Sequence, residues 1–281
     1  MKILVTGANG YLGTGIVKAL IEHNQTVVGT DLKTDRIDSR AEKISANIFE
    51  VEDPYTFFGC PDAVLHLAWR NGFEHSALSH LEDLFSHYLF LRRLAEAGIR
   101  KICVLGSVHE IGFYEGSVNE STPANPQSLY GIGKNALREA VELLAKEYNL
   151  QYQWLRGFYI VGNTEYGSSV FSKLAQAEKA GQAEFPFTKG ENQFDFLNYD
   201  KFCLQVCQTV IQDEVDGIIN CCSGRPQRLG ERVEQYISEN HYHIRLKYGA
   251  FQERPYDSKA IWGDDRKIKQ IMKVNDEKNN R

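Results

Sequence analysis

The turn Thr6-Gly7-Ala8-Asn9-Gly10-Tyr11-Leu12-Gly13 constrains this chain more than any other feature. It follows a short apolar run, Lys2 to Thr6. It leads into Tyr11 to Glu22, where Leu12, Ile16, Ala19 and Leu20 recur at helical spacing. A strand that passes through three glycines into a helix has a specific physical use. Gly7 permits the tight turn, Gly10 lets the backbone approach a pyrophosphate, and Gly13 lets the helix pack close to the strand. The free N–H groups and the positive dipole end of the helix then hold phosphate. The spacing predicts a dinucleotide site at Gly7, Asn9, Gly10, Tyr11, Leu12 and Gly13. Asp31 ends the next apolar run, 18 residues after Gly13. A carboxylate there can bond a ribose 2′-hydroxyl and repel a 2′-phosphate, which points to NAD rather than NADP. A solvated strand end is the other reading of Asp31, and nearby Lys33 softens the preference.

The first half of the chain keeps alternating strand and helix signals. Gln25–Asp31, Ala63–Ala68, Lys101–Leu105 and Gln151–Arg156 read as strands, apolar on both faces. Ser76–Ala97 and Gln127–Tyr148 read as long helices. This pattern predicts an α/β fold, a Rossmann-type doubly wound parallel sheet covered on both faces. Beyond about Gly157 the pattern loosens into helices near Ser168–Ala180, Asp200–Gln212 and Leu229–Glu239, with strands near Phe194–Leu197, Gly217–Cys221 and His243–Tyr248. We read residues 1–157 as the dinucleotide-binding domain and 158–281 as a smaller C-terminal α/β substrate lobe. The boundary is approximate, and segments can interleave. The polar tail from Lys273 is expected to fray.

Charge narrows the partners. A net charge of −5 and a pI near 5.9 argue against a nucleic-acid surface. No run approaches the ~18–20 apolar residues of a membrane span. The first residues lack the apolar stretch of a signal peptide, so a cytoplasmic enzyme is expected. The six cysteines form no CxxC pair and read as buried free thiols. His241 and His243 share one strand face, too few ligands for a metal site, and no metal is predicted.

Of the 14 tyrosines, only Tyr130 has a lysine four residues later, Lys134. Chance supplies about one such pair in a chain of this composition, so position must carry the argument. Tyr130 opens a long helix behind Pro126-Gln127-Ser128-Leu129, and residues four apart share a helical face. A phenol titrates near ~10; a neighbouring ammonium and an oxidised nicotinamide ring both favour phenolate, and reaching about 7 takes about 4 kcal/mol. Tyr130 could then move the proton of an alcohol or ketone oxygen. Lys134 would also hold the nicotinamide ribose. Ser107, at the end of the strand that starts at Lys101, can hydrogen-bond the reacting oxygen.

Together these segments resemble the extended short-chain dehydrogenase/reductases, the NAD-dependent epimerase/dehydratase family. Thr6–Gly13 matches its nucleotide turn, and His66-Leu67-Ala68-Trp69 resembles its HLAA strand end. Leu105 to Gly112 resembles SSxxVYG, with Ser107 at the catalytic serine/threonine position. Glu120, Pro123 and Pro126 lead to Tyr130 and Lys134 as in the family. Leu155-Arg156 through Gly162, Phe194-Asp195-Phe196 with Asp200, and Arg254 to Asp257 resemble its later motifs. The resemblance implies cofactor contacts at Glu50, Val51, Leu67, Ala68 and Trp69, the first two at adenine. It also implies a nucleotide-sugar substrate, with Arg254 as a phosphate ligand, and a homodimer built on the two long helices. Tyr159 stands where the family has a substrate-binding asparagine, and Phe194 where an arginine often meets the diphosphate. Val108-His109 replace the Asp-Glu pair of 4,6-dehydratases, which argues against dehydration. Ser107 to Tyr114 also resembles the SxHxIGxY run of hexuronate dehydrogenases. His109 either shapes the pocket floor or bonds a sugar hydroxyl; Glu110 either contacts substrate or points to solvent. The expected activity is reduction of a 4-keto-6-deoxyhexose, with a retained-NAD 4-epimerase and a hexuronate dehydrogenase as alternatives. A non-catalytic dinucleotide-sensing protein is a further alternative.

Overall fold

Seven parallel strands form the main layer of the computed structural model, which describes residues 1–162, 167–252 and 257–279. In chain order the first half runs β1 (Lys2–Thr6), α1 (Gly13–Glu22), β2 (Thr26–Asp31), β3 (Glu42–Ser45), α2 (Pro54–Phe57), β4 (Ala63–His66), α3 (Ser79–Glu82), α4 (Leu84–Glu96), β5 (Lys101–Ser107), β6 (Gly116–Val118), α5 (Leu129–Glu147) and β7 (Gln151–Gly157). The second half runs β8 (Tyr159–Val161), α6 (Val170–Lys179), β9 (Glu184–Pro186), β10 (Gln193–Asn198), α7 (Tyr199–Val210), β11 (Gly217–Cys221), β12 (Pro226–Arg228), α8 (Leu229–Glu239), β13 (Arg245–Lys247), β14 (Ala260–Gly263) and α9 (Arg266–Asn279). The large sheet has the order β11-β7-β5-β4-β1-β2-β3, all neighbours parallel. The order reverses between β1 and β4, so a crevice opens at their carboxyl ends, where such sheets bind ligands.

Both faces of the sheet are covered, as the doubly apolar strands require. On one side Ile16, Val17 and Leu20 of α1 pack with Phe202 and Val206 of α7. On the other, Phe90, Leu91 and Leu94 of α4 pack with Leu137, Val141 and Leu144 of α5. The second sheet, β12-β10-β14-β6 with β8 beside β10, carries its own core around Phe158, Phe194 and Ile261.

The two layers do not divide the chain at residue 157. Strand β11 adds to the edge of the large sheet, while β6 leaves the first half to pair with β14. Edge positions go to whichever segment the crossover delivers, regardless of its distance along the chain. The long helix expected from Ser76 is two helices that abut at Asp83, with backbone hydrogen bonding continuing across the junction. Helix α9 runs Arg266–Asn279, and Ile268 and Ile271 anchor its start in the core.

Candidate active site

The glycine turn sits at the reversal point of the sheet. Gly7 adopts φ +68°, and a Cβ there would lie 2.7 Å from the backbone nitrogen of Ala68, just beyond β4. A Cβ on Gly13 would meet the Gly7 carbonyl oxygen at 2.2 Å. Side chains at these positions are excluded by backbone on both sides, so the chain passes closely from β1 into α1. Asp31 braces the turn: its carboxylate accepts from Asn9 N–H at 3.1 Å and Leu32 N–H at 2.8 Å. Arg36 reaches the turn as well, bonding the Asn9 carbonyl through its guanidinium and the Asn9 side chain through its backbone N–H at 2.7 Å. Lys33 is exposed. The Tyr11 hydroxyl donates to the Gly162 carbonyl at 2.8 Å, and Leu12 and Leu67 pack at the rim of the adjoining core. Glycines barred from carrying side chains, beside a carboxylate at the end of β2, fit a dinucleotide.

Glu50 is exposed in a short 3-10 turn after β3 and accepts from Asn47 at 2.8 Å. The Val51 carbonyl accepts from Arg93 at 3.0 Å.

Ser107, Tyr130 and Lys134 converge at the carboxyl end of β5. Ser128 caps α5 by accepting from Gly131 N–H at 3.1 Å, and Tyr130 N–H donates to the His75 carbonyl at 3.0 Å. These two bonds fix where the first turn of the helix begins. Burial pushes Tyr130 up to about 12, and the neighbouring Ser107 side chain opposes that rise. The Lys134 ammonium donates to the Leu105 carbonyl at 2.8 Å, and burial pulls it down to about 7. In the folded chain burial therefore opposes the phenolate that a neighbouring ammonium and an oxidised nicotinamide ring are both expected to favour.

Glu110 is neither exposed nor open to substrate. It is fully buried and accepts from Arg156 Nε at 2.7 Å, Trp154 Nε1 at 2.9 Å and Ser107 N–H at 3.1 Å. A carboxylate withdrawn from water needs such partners, so this residue holds the β5 terminus instead of meeting ligand. His109 remains half-exposed, its ring 4.3 Å from His75 and 6.0 Å from both Tyr130 and Tyr159. Tyr159 stacks on Phe194 at 4.2 Å. The two departures from the family pattern thus form one aromatic pair, apolar where an arginine would carry charge. A cavity here is lined by Val108, His109, Ser128, Tyr159, Ser258 and Ile261. Arg254, with Pro255 and Tyr256 of the same motif, lies outside the described residues. Among the described residues no His, Cys, Asp and Glu cluster could hold a metal ion.

Sequence reasoning missed several contributors. Tyr199, opening α7, places its hydroxyl 3.1 Å from Gly15 N–H and donates to the Tyr11 carbonyl at 2.8 Å, tying the second half of the chain to the turn. His75 stacks on Tyr130 at 5.1 Å, and His80 lies edge-on at 5.2 Å. No spacing rule links these residues to the motifs they touch.

A doubly wound sheet with a dinucleotide turn, and a Ser–Tyr–Lys cluster one strand beyond its reversal point, define a nucleotide-dependent oxidoreductase architecture. The chain belongs to the NAD dependent epimerase/dehydratase family, whose model matches residues 3–240, and it is an NAD-dependent enzyme. It is 39% identical over 269 residues to dTDP-6-deoxy-L-talose 4-dehydrogenase (NAD(+)) of Aggregatibacter actinomycetemcomitans, covering 94% of this chain and 99% of that relative. Its fold is that of UDP-glucuronic acid 4-epimerase from Bacillus cereus, solved with UDP-glucuronic acid and NAD: TM-score 0.83, 21% identity, 97% of this chain and 93% of the other. UDP-glucose 4-epimerase from Thermotoga maritima, solved with UDP-glucose, gives a TM-score of 0.82 at 22% identity, over 96% and 92% of the two chains. No helix among the described residues is long and apolar enough to cross a membrane.

Proposed function

We propose that this enzyme interconverts the C4 ketone and C4 alcohol of a nucleotide-linked 6-deoxyhexose, working as an NAD(H)-dependent 4-keto-6-deoxyhexose reductase. The observation that carries the reading is the convergence of Ser107, Tyr130 and Lys134 at the carboxyl end of β5, in a chain 39% identical, nearly end to end, to a dehydrogenase of that chemistry. Bound NAD supplies hydride exchange and, when oxidised, a positive ring charge. Tyr130 Oη gives its proton to the C4 oxygen as the ketone is reduced and takes one back from the alcohol. Ser107 holds that oxygen in line, and Lys134 orients the cofactor ribose. The raised Tyr130 favours the reducing direction, because a phenol that stays protonated at neutral pH is ready to act as the acid. The glycine turn holds the pyrophosphate, and Asp31 the adenosine ribose. Leu67, Ala68 and Trp69 edge the nicotinamide side, and Glu50 and Val51 the adenine side. His109 and Tyr159 contact the sugar.

Absorbance at 340 nm tests the reading. With a dTDP-linked 4-keto-6-deoxyhexose, NADH should be consumed stoichiometrically; with dTDP-6-deoxy-L-talose and NAD, it should appear. Inversion at C4 without net NADH change would establish an epimerase instead. NADH formed from a free uronic acid would establish a hexuronate dehydrogenase.

Two further expectations belong here. Asp31→Ala should weaken NAD binding roughly tenfold by calorimetry, the scale of one lost charged hydrogen bond. The proposed partner is a second copy of the chain, docked on α3, α4 and α5, where Leu78, Leu81, Phe85 and Leu143 are exposed. Large apolar side chains exposed on helices of one sheet face suit an interface between copies. Phe85→Glu should leave a species near 32.0 kDa in light scattering, against twice that for the parent. The six free cysteines suit a reducing compartment and support a cytoplasmic location.

A further inference from the structure

We propose that Trp69 is the positioning residue for Lys134: its indole face holds the ammonium in place and favours its charged form in a site otherwise poor in anionic partners. The inference rests on the reading that Lys134 serves the reaction. It stands on geometry. Lys134 is buried, its Nζ lies 3.9 Å from the centroid of the Trp69 ring, and its hydrogen bond goes to the Leu105 carbonyl. A buried ammonium with one carbonyl acceptor is under-stabilised. An aromatic face at this distance attracts a cation, most strongly when the pair is desolvated and the ring is indole.

The indole is itself held in place, as a positioning residue must be. Its Nε1–H donates to His80 Nδ1 at 3.0 Å. Indole N–H only donates, so His80 Nδ1 carries no proton, and His80 Nε2–H donates to the Glu74 carbonyl at 2.9 Å. The ring also stacks on His87 at 4.5 Å. His87 bonds His66 at 2.8 Å, and His66 bonds Thr6 at 2.8 Å, at the end of β1. Gly133 makes room above, since a Cβ there would lie 3.3 Å from the indole and 2.6 Å from the His80 carbonyl oxygen. The tryptophan is therefore wedged between β4, α4 and α5, with one tether to α3.

The charged and titratable groups around Lys134 are few. Glu110 favours its charge from beyond β5, but that carboxylate is committed to Arg156. His66 on β4 and His87 on α4 are both held neutral by burial with Lys134 beside them, His87 down to about 3, so neither supplies an anion or a competing cation near neutral pH. Tyr130 on the same helix is held protonated by burial. Among the described residues, the indole face and the Leu105 carbonyl are the groups that support the ammonium at contact distance.

The test reads Lys134 directly. The full chain is labelled with 13C-lysine, the Lys134 Cε signal is assigned with Lys134→Arg, and its titration is followed by NMR. Trp69→Leu should lower the titration midpoint by about one pH unit, while Trp69→Phe, which keeps an aromatic face but loses the tether to His80, should retain at least about half of that difference. Should Trp69→Leu fail to fold, tetrafluorotryptophan placed at position 69 alone keeps the shape and drains the π face; it should also lower the midpoint. An unchanged midpoint in the leucine or fluorinated protein overturns the proposal, as does a phenylalanine variant that falls as far as leucine. In NADH turnover the alkaline limb of the kcat/KM profile should move down with the midpoint, because the charged form is lost at lower pH. If the midpoint moves and the limb does not, Trp69 still positions Lys134, and it is the catalytic role of Lys134 that fails.

Discussion

Tyr130→Phe should lose at least about 100-fold in kcat, the lower end of what a positioned proton donor contributes, while its affinity for NAD stays within about twofold. The substitution removes one oxygen. It leaves the ring stacked on His75 and keeps the N-terminal turn of α5, which is fixed by Ser128 and by the His75 carbonyl. The glycine turn follows β1, apart from α5, and does not depend on the phenol. Turnover and binding should therefore separate cleanly. Stopped-flow NADH oxidation and calorimetry on the same preparation check both halves. Retained turnover would remove Tyr130 from the chemistry, and parallel loss of NAD binding would make its role structural.

Glu110→Ala should cost about 3–5 kcal/mol of stability, the usual penalty for stranding one partner of a buried ion pair. For a chain of this size that lowers Tm by roughly 10 °C. The loss is large because Arg156 is 2% exposed and Glu110 0%, so water cannot replace the missing carboxylate. Trp154 Nε1–H and Ser107 N–H would lose their acceptor as well. Because the last of these anchors the Ser107 backbone, kcat should fall further than stability alone explains when assayed well below the new Tm. Replacing Glu110 and Arg156 together with apolar residues should recover part of the stability and little of the turnover. Calorimetric unfolding of the three proteins is the measurement; an unchanged Tm in Glu110→Ala would contradict the burial argument.

These two residues show different degrees of legibility. Tyr130 could be proposed from the sequence because its signal is local: a four-residue spacing to Lys134, a helix start behind two prolines, a serine ending the preceding strand. Glu110 could not. It lies in a loop-like stretch three residues after Ser107, and its partners Trp154 and Arg156 sit 44 and 46 residues further on, in β7. Its local pattern matches that of a solvated loop carboxylate, and only the β5–β7 pairing brings the partners together. The same holds for Tyr159 and Phe194, which read as two separate departures from a family pattern and turn out to stack on each other.

The sequence by itself determined the glycine turn, the parallel sheet and the candidate set Ser107, Tyr130 and Lys134, because each is written in short-range spacing: three glycines between a strand and a helix, apolar runs at strand length, one helical turn between two side chains. The tertiary structure decided what surrounds them. It assigned β11 to the large sheet and β6 to the small one, buried Glu110, brought Tyr199 to the turn and set Trp69 against Lys134. Those outcomes depend on which distant segments share a neighbourhood once the apolar faces are buried, and on which charges lose their water in the process. The physical reason is separation: a contact across a hundred residues leaves no period in the chain, and the free energy that selects it comes from packing and desolvation that exist only in the folded state.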